Sequence, residues 1–176
     1  MNNLLADTKL AIELEEKGYE FYKNTATKTT NPLASSTLSS LADREKLHIE
    51  KIQELYLSLS NKKEPTTIWL SATEITSDKK TLLKPILEKL RTRLDKKFDT
   101  EADINETYLI AEGLERDSYA LYTKIAKETT NDIAKKFFSA LAQEENEHYA
   151  ILDDTLLYLK HPGDWFKKEE RWIVEG

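Results

Sequence analysis

Residues 11–31 read AIELEEKGYEFYKNTATKTTN, and residues 111–131 read AEGLERDSYALYTKIAKETTN. The two stretches match at a constant offset of 100: Ala11/Ala111, Leu14/Leu114, Glu15/Glu115, Tyr19/Tyr119, Tyr22/Tyr122, Ala26/Ala126 and Thr29-Thr30-Asn31/Thr129-Thr130-Asn131. The register continues without a gap through Ala34/Ala134, Leu41/Leu141, Ala42/Ala142, Glu45/Glu145 and His48/His148. Such a repeat is one supersecondary unit written twice, and each copy needs the other to bury its apolar face.

Each copy reads as a helical hairpin. Leu10, Leu14 and Phe21, with Ala11, Gly18 and Tyr22, recur at three- and four-residue spacing. That spacing predicts a helix over about residues 5–29 rather than a strand. Asn31-Pro32 starts the next helix, with Asn31 as N-cap and Pro32 at the first helical position. This second helix runs to about Leu59, with Leu38, Leu41, Ile49, Ile52 and Leu59 mostly inward. The second copy places helices at about 102–129 and 132–160, and His161-Pro162-Gly163 ends the last one.

Residues 61–101 join the hairpins. Asn61 to Pro65 reads as a breaker, and Ile68, Trp69 and Leu70 predict a short apolar strap. Leu82, Leu83, Ile86, Leu87, Leu90 and Leu94 predict an amphipathic helix over 78–98, weakened in its first half by Pro85. So long a connection suits an all-α four-helix bundle with one crossover. The expected organisation is a bundle over residues 1–160, with hairpins at 5–60 and 102–160 and the crossover at 61–101. A tail over 161–176, carrying Trp165, Phe166, Trp172 and Ile173, should pack on the bundle or on a partner subunit.

Composition narrows the chemistry. The 176 residues suit one domain, or two very small ones, and contain no cysteine. Disulfides, zinc ribbons, iron–sulfur ligation and thiol nucleophiles are thereby excluded. Any metal must be held by His, Asp or Glu, and the only histidines are His48, His148 and His161. With a net charge of -6 and no basic patch, no nucleic-acid partner is expected. No apolar run reaches membrane-spanning length, and Met1 to Asp7 lacks a signal-peptide core. The expected location is cytoplasmic, with no membrane partner.

Three ionisable residues per copy keep register with the apolar matches: Glu15, Glu45 and His48, then Glu115, Glu145 and His148. Glu45 and His48 are three apart, as are Glu145 and His148, so each pair shares a helix face. Leu41, Ala42, Ile49 and Ile52 make that face inward. Four unpaired carboxylates in a bundle core would cost several kcal/mol each, so a compensating charge is required. Two metal ions supply it. Two helices give one Glu each and two give a Glu-x-x-His, an arrangement seen in di-iron and di-manganese carboxylate bundles. Oxygen-rich ligation with two imidazoles suits Fe, with Mn as the alternative, over Cu or Zn.

On Glu15-x-x-Gly18 with Tyr22, Glu45-x-x-His48, Glu115 with Tyr122, and Glu145-x-x-His148, the chain resembles the rubrerythrin branch of the ferritin-like di-iron proteins. These motifs span about residues 5–160. The resemblance implies a ferritin-like bundle with Glu15, Glu45, His48, Glu115, Glu145 and His148 as metal ligands. It implies a homodimer or larger oligomer, and reduction of hydrogen peroxide or O₂ coupled to iron oxidation, a role in oxidative stress. It also makes Glu112, three before Glu115, a candidate seventh ligand; the first copy has Ile12 there. Rubrerythrins proper carry a rubredoxin-like domain with a Cys-ligated iron. These residues hold no cysteine, so electrons would come from a separate donor protein such as a rubredoxin, or from Fe²⁺ itself. Ferroxidase activity and purely structural metal binding are the alternatives. Loss of Glu45 or of His148 is expected to empty one metal position.

The remaining polar residues read as ordinary. Glu13, Glu16, Glu20, Glu144 and Glu147 fit a solvated helix face. Tyr22 and Tyr122 are core aromatics whose hydroxyls could support a ligating carboxylate. His161, without a repeat partner, reads as a cap at a helix end.

Overall fold

The computed structural model describes residues 4–61 and 102–165. The strap and helix expected within 62–101, and Phe166, Trp172 and Ile173 of the tail, lie outside the described residues. Four long helices carry the rest: α1 (Leu4–Lys28), α2 (Pro32–Asn61), α3 (Ala102–Glu128) and α4 (Asp132–Lys160). Each boundary falls within about two residues of the position that periodicity and turn residues indicate.

Both interhelix turns are built the same way. The Asn31 side-chain oxygen accepts from Leu33 N at 3.0 Å and Ala34 N at 3.1 Å. Asn131 accepts from Ala134 N at 2.9 Å. Each cap satisfies amide donors that the first helical turn cannot pair internally. His161 closes α4, its backbone N–H donating to Leu157 O at 2.8 Å. Residues 162–165 add a short helical turn. It brings Trp165 edge-on to Tyr158, with ring centroids 5.3 Å apart, so this part of the tail packs on the bundle.

α1 packs on α2 and α3 on α4, while α1 also meets α3 and α2 meets α4. Contacts between α1 and α3 pair Tyr22 with Glu115 and Glu15 with Tyr122, so these helices run antiparallel. Contacts between α2 and α4 pair His48 with Glu145 and Glu45 with His148, which is again antiparallel. α2 and α3 therefore run parallel, and the chain between them joins opposite ends of the bundle. The fold is an all-α, ferritin-like four-helix bundle with one long crossover connection. No described helix is long and apolar enough to cross a membrane.

The repeat shows as a pseudo-twofold in the packing. One apolar cluster holds Tyr22, Ala26, Ala34, Leu38, Leu41, Ala42, Ala111 and Leu152. The other holds Tyr122, Ala126, Ala134, Phe138, Leu141, Ala142, Ala11 and Ile52. These are the same positions with 100 added or removed. The clusters occupy the two ends of the bundle interior, and the repeated Glu and His residues lie between them. Ala11, Glu15, Gly18, Tyr22 and Ala26 form the buried stripe of α1. Leu10, expected on that face, is 50% exposed. One residue before Ala11, it is turned about 100° away from the stripe.

Candidate metal centre

The six repeated ionisable residues meet at mid-bundle, and each is at most 3% exposed. Their atoms fall into two groups, Glu15, Glu45, His48 and Glu145, and Glu45, Glu115, Glu145 and His148. In each group the ligand atoms all lie within 4.8 Å of one another. Glu45 and Glu145 belong to both groups; each other residue belongs to one.

The shared carboxylates face both ways. Glu45 presents Oε2 to His48 Nδ1 at 3.6 Å and Oε1 to His148 Nδ1 at 3.3 Å. Glu145 presents Oε1 to His48 Nδ1 at 3.1 Å and Oε2 to His148 Nδ1 at 3.6 Å. The unshared carboxylates behave differently. Glu15 Oε2 lies 3.5 Å from His48 Nδ1, and its Oε1 accepts from the Tyr122 hydroxyl. Glu115 Oε2 lies 3.5 Å from His148 Nδ1, and its Oε1 accepts from the Tyr22 hydroxyl. Each tyrosine thus reaches across from the other repeat to hold one oxygen and leave the second facing inward. The two imidazoles lie nearly parallel, their centroids 5.4 Å apart. Gly18 sits beside Glu45, where a Cβ would lie 3.6 Å from Glu45 Cγ.

Proximity here is not hydrogen bonding. Glu15 Oε2, both oxygens of Glu145, and Nδ1 of His48 and of His148 are buried without a hydrogen-bond partner. Buried polar atoms are seldom left so, because each lost partner costs about 1–3 kcal/mol. Five such atoms converging on one core suit cation binding. Four carboxylates carry four negative charges, which two divalent ions balance. The residues present therefore fit a pair of metal ions.

Without metal, protons do the balancing. Burial, then the charges of Glu45 and Glu145, push Glu15 and Glu115 well above the usual carboxylate range. Burial opposes ionisation of Glu45 more than any other single influence. The close approach of Glu15, His148 and His48, with the charge of His148, outweighs it and holds Glu45 well below that range. Glu145, opposed by burial and by Glu45 but drawn down by His48 and His148, sits at about 2. Burial lowers both histidines, and the surrounding carboxylates overcome it and raise them well above the usual imidazole value.

A rubrerythrin family model matches residues 8–156, most of the chain and all four helices. The chain belongs to the rubrerythrin family. Comparison with curated proteins and with solved structures finds no match. Family membership and the two buried donor groups together mark a bundle-core di-metal site of the kind used by non-haem di-iron oxidoreductases.

One candidate ligand lies apart from both donor groups, and one sequence reading changes. Glu112 is buried, but its charged neighbours are Asp153, Arg116 and Lys160, and neither donor group includes it. Three residues before Glu115, it lies about 4.5 Å further along the α3 axis, a turn away from the imidazoles. Glu144, expected in solvent, is 6% exposed, with Oε2 2.9 Å from His48 Nε2 and Oε1 3.9 Å from Lys51 Nζ. The signal was present in the repeat: position 44 is Arg, so Glu144 departs from its partner. Glu13, Glu16 and Glu20 are exposed as expected, Glu147 is half-buried, and His161 is exposed.

Proposed function

We propose that this rubrerythrin-family chain binds two iron ions through Glu15, Glu45, His48, Glu115, Glu145 and His148 and reduces hydrogen peroxide. The observation that carries this reading is the set of five unpartnered ligand atoms converging between two apolar clusters. Held there, two Fe²⁺ ions would supply one electron each, which with two protons is enough to reduce H₂O₂ to two waters. The chain's own residues prepare that exchange. Glu45 and Glu145, each with one oxygen toward either histidine, suit bridging, and Glu15 and Glu115 suit one position each. Tyr22 and Tyr122 hold the inner oxygens in aim. Burial, then carboxylate charge, keeps both phenols protonated well above their usual range. The apolar ends exclude bulk water, which strengthens every charge interaction between them.

These residues hold no cysteine, so a thiolate-held electron relay lies outside them, in a donor such as a rubredoxin. A homodimer and a cytoplasmic location go with the same reading. Exposed Leu10, Leu109 and Ile110 on α1 and α3 support self-association.

The test is rapid mixing of the anaerobically Fe²⁺-loaded chain with H₂O₂ or with O₂, followed optically. Oxidation faster with peroxide than with O₂, at one peroxide per two irons, is expected. Turnover requiring O₂ and excess Fe²⁺ would make the chain a ferroxidase instead. Two tightly held but redox-silent ions would make the metals structural.

A further inference from the structure

The repeat makes most of the core a matched pair, and one of the places where it breaks lies against His48. His48 Nε2 faces Glu144 Oε2 at 2.9 Å, and Lys51 Nζ lies 3.9 Å from the other oxygen. The counterpart of Glu144 is Arg44, and that of Lys51 is Ile151. All three are well placed to matter: His48, Lys51 and Glu144 are buried. Among the described residues, the ion pairs of His148 run through Nδ1 toward Glu45, Glu115 and Glu145. Among the described residues, therefore, His48 alone of the two imidazoles has a carboxylate at Nε2.

We propose that Glu144 is a positioning residue that fixes His48 as its Nε2–H tautomer and makes the two metal positions unequal, the His48 position holding its ion more tightly. This rests on the two-metal reading above. An imidazole offers a metal the lone pair of one nitrogen only when the proton sits on the other. Nδ1 of His48 points at Glu15, Glu45 and Glu145, so the proton belongs on Nε2, where Glu144 accepts it. A carboxylate in that place sets the ring angle and makes the ligating nitrogen more basic. Lys51 compensates the buried carboxylate, which would otherwise be costly in this interior. A purely structural Glu144–Lys51 pair between α2 and α4 would affect stability and leave the two ions alike.

The distinction is measurable on the full chain. With zinc as a diamagnetic probe, ¹⁵N-histidine NMR of the wild type should show two ring N–H signals of different hydrogen-bond strength. The stronger, downfield signal should belong to His48 and should move upfield in Glu144→Gln. With Co²⁺ titrated into metal-free protein, Glu144→Gln should weaken one of the two ions by about 10- to 100-fold and leave the other unchanged. Arg44→Gln should change neither. Equal N–H signals in the wild type overturn the proposal whether or not the variant folds. So does a Glu144→Gln variant that weakens both ions alike or neither. A wild-type chain that fails to take up two ions overturns the two-metal reading instead.

Discussion

Loading divalent metal into this core should expel about four protons per chain. In the metal-free protein, Glu15 and Glu115 are held well above the usual carboxylate range by burial and by neighbouring carboxylates. His48 and His148 are raised as well, and Glu45 and Glu145 are lowered. Those directions favour a metal-free core of two neutral acids, two carboxylates and two imidazoliums, with no net charge. Two divalent ions need four carboxylates and two neutral imidazoles, again with no net charge, so four protons must leave. Metal competes with those protons, so affinity rises with pH. Each proton contributes about 1.4 kcal/mol per pH unit. Four together raise the combined loading constant by about 10⁴-fold per unit, or about 100-fold per ion. The slope flattens once pH passes the raised pKa values, where the metal-free groups have already deprotonated. Calorimetric titration with Mn²⁺ in buffers of different ionisation enthalpy counts the protons directly. A count near zero would refute the charge balance, because it would mean that metal binds elsewhere or that the core is already fully ionised.

Other perturbations separate the roles of individual residues. Glu45→Ala should abolish tight binding of both ions, whereas His148→Ala should leave one, as read by metal-to-protein ratio after desalting. The sequence spacing alone would give one lost ion in both cases, and an equal result would rule out Glu45 as a shared ligand. Tyr22→Phe and Tyr122→Phe each strip a donor from a buried carboxylate oxygen. The cost is about 1–3 kcal/mol each, and thermal unfolding of the metal-free protein should fall by roughly 2–4 °C per kcal/mol. No change in either variant would mean that the phenols do not hold those oxygens. Gly18→Ala should stabilise the chain by about 1 kcal/mol, because Ala favours the helix and its Cβ would meet Glu45 Cγ at an ordinary 3.6 Å. A lower unfolding temperature would show that α1 lies closer to Glu45 than the structure has it.

Much of this was legible in the sequence, for a physical reason. A gapless offset of 100 forces two hairpins to share one packing plan, so each residue of one copy vouches for its partner in the other. That logic placed Glu15 with Glu115 and His48 with His148, and it located the Asn31 and Asn131 caps. It is silent wherever the copies differ. Glu144 was misread because a Glu beside a ligand pair resembles surface charge. Only the approach of α2, carrying Lys51 and His48, makes its side of α4 an interior. Glu112 lay on the predicted face, but a helix face runs the length of the bundle and the metal core occupies one level of it. Which carboxylates are shared could not be read either, since that depends on where each oxygen points across the axis.

The central claim is that the Glu/His core is a two-metal site. Anomalous diffraction from crystals of the iron-loaded chain, collected at the iron edge, tests it most directly. Two peaks about 3.5–4 Å apart should lie between His48 Nδ1 and His148 Nδ1, with Glu45 and Glu145 reaching both. A single peak, or iron only at surface carboxylates with the core side chains unmoved, would contradict the account.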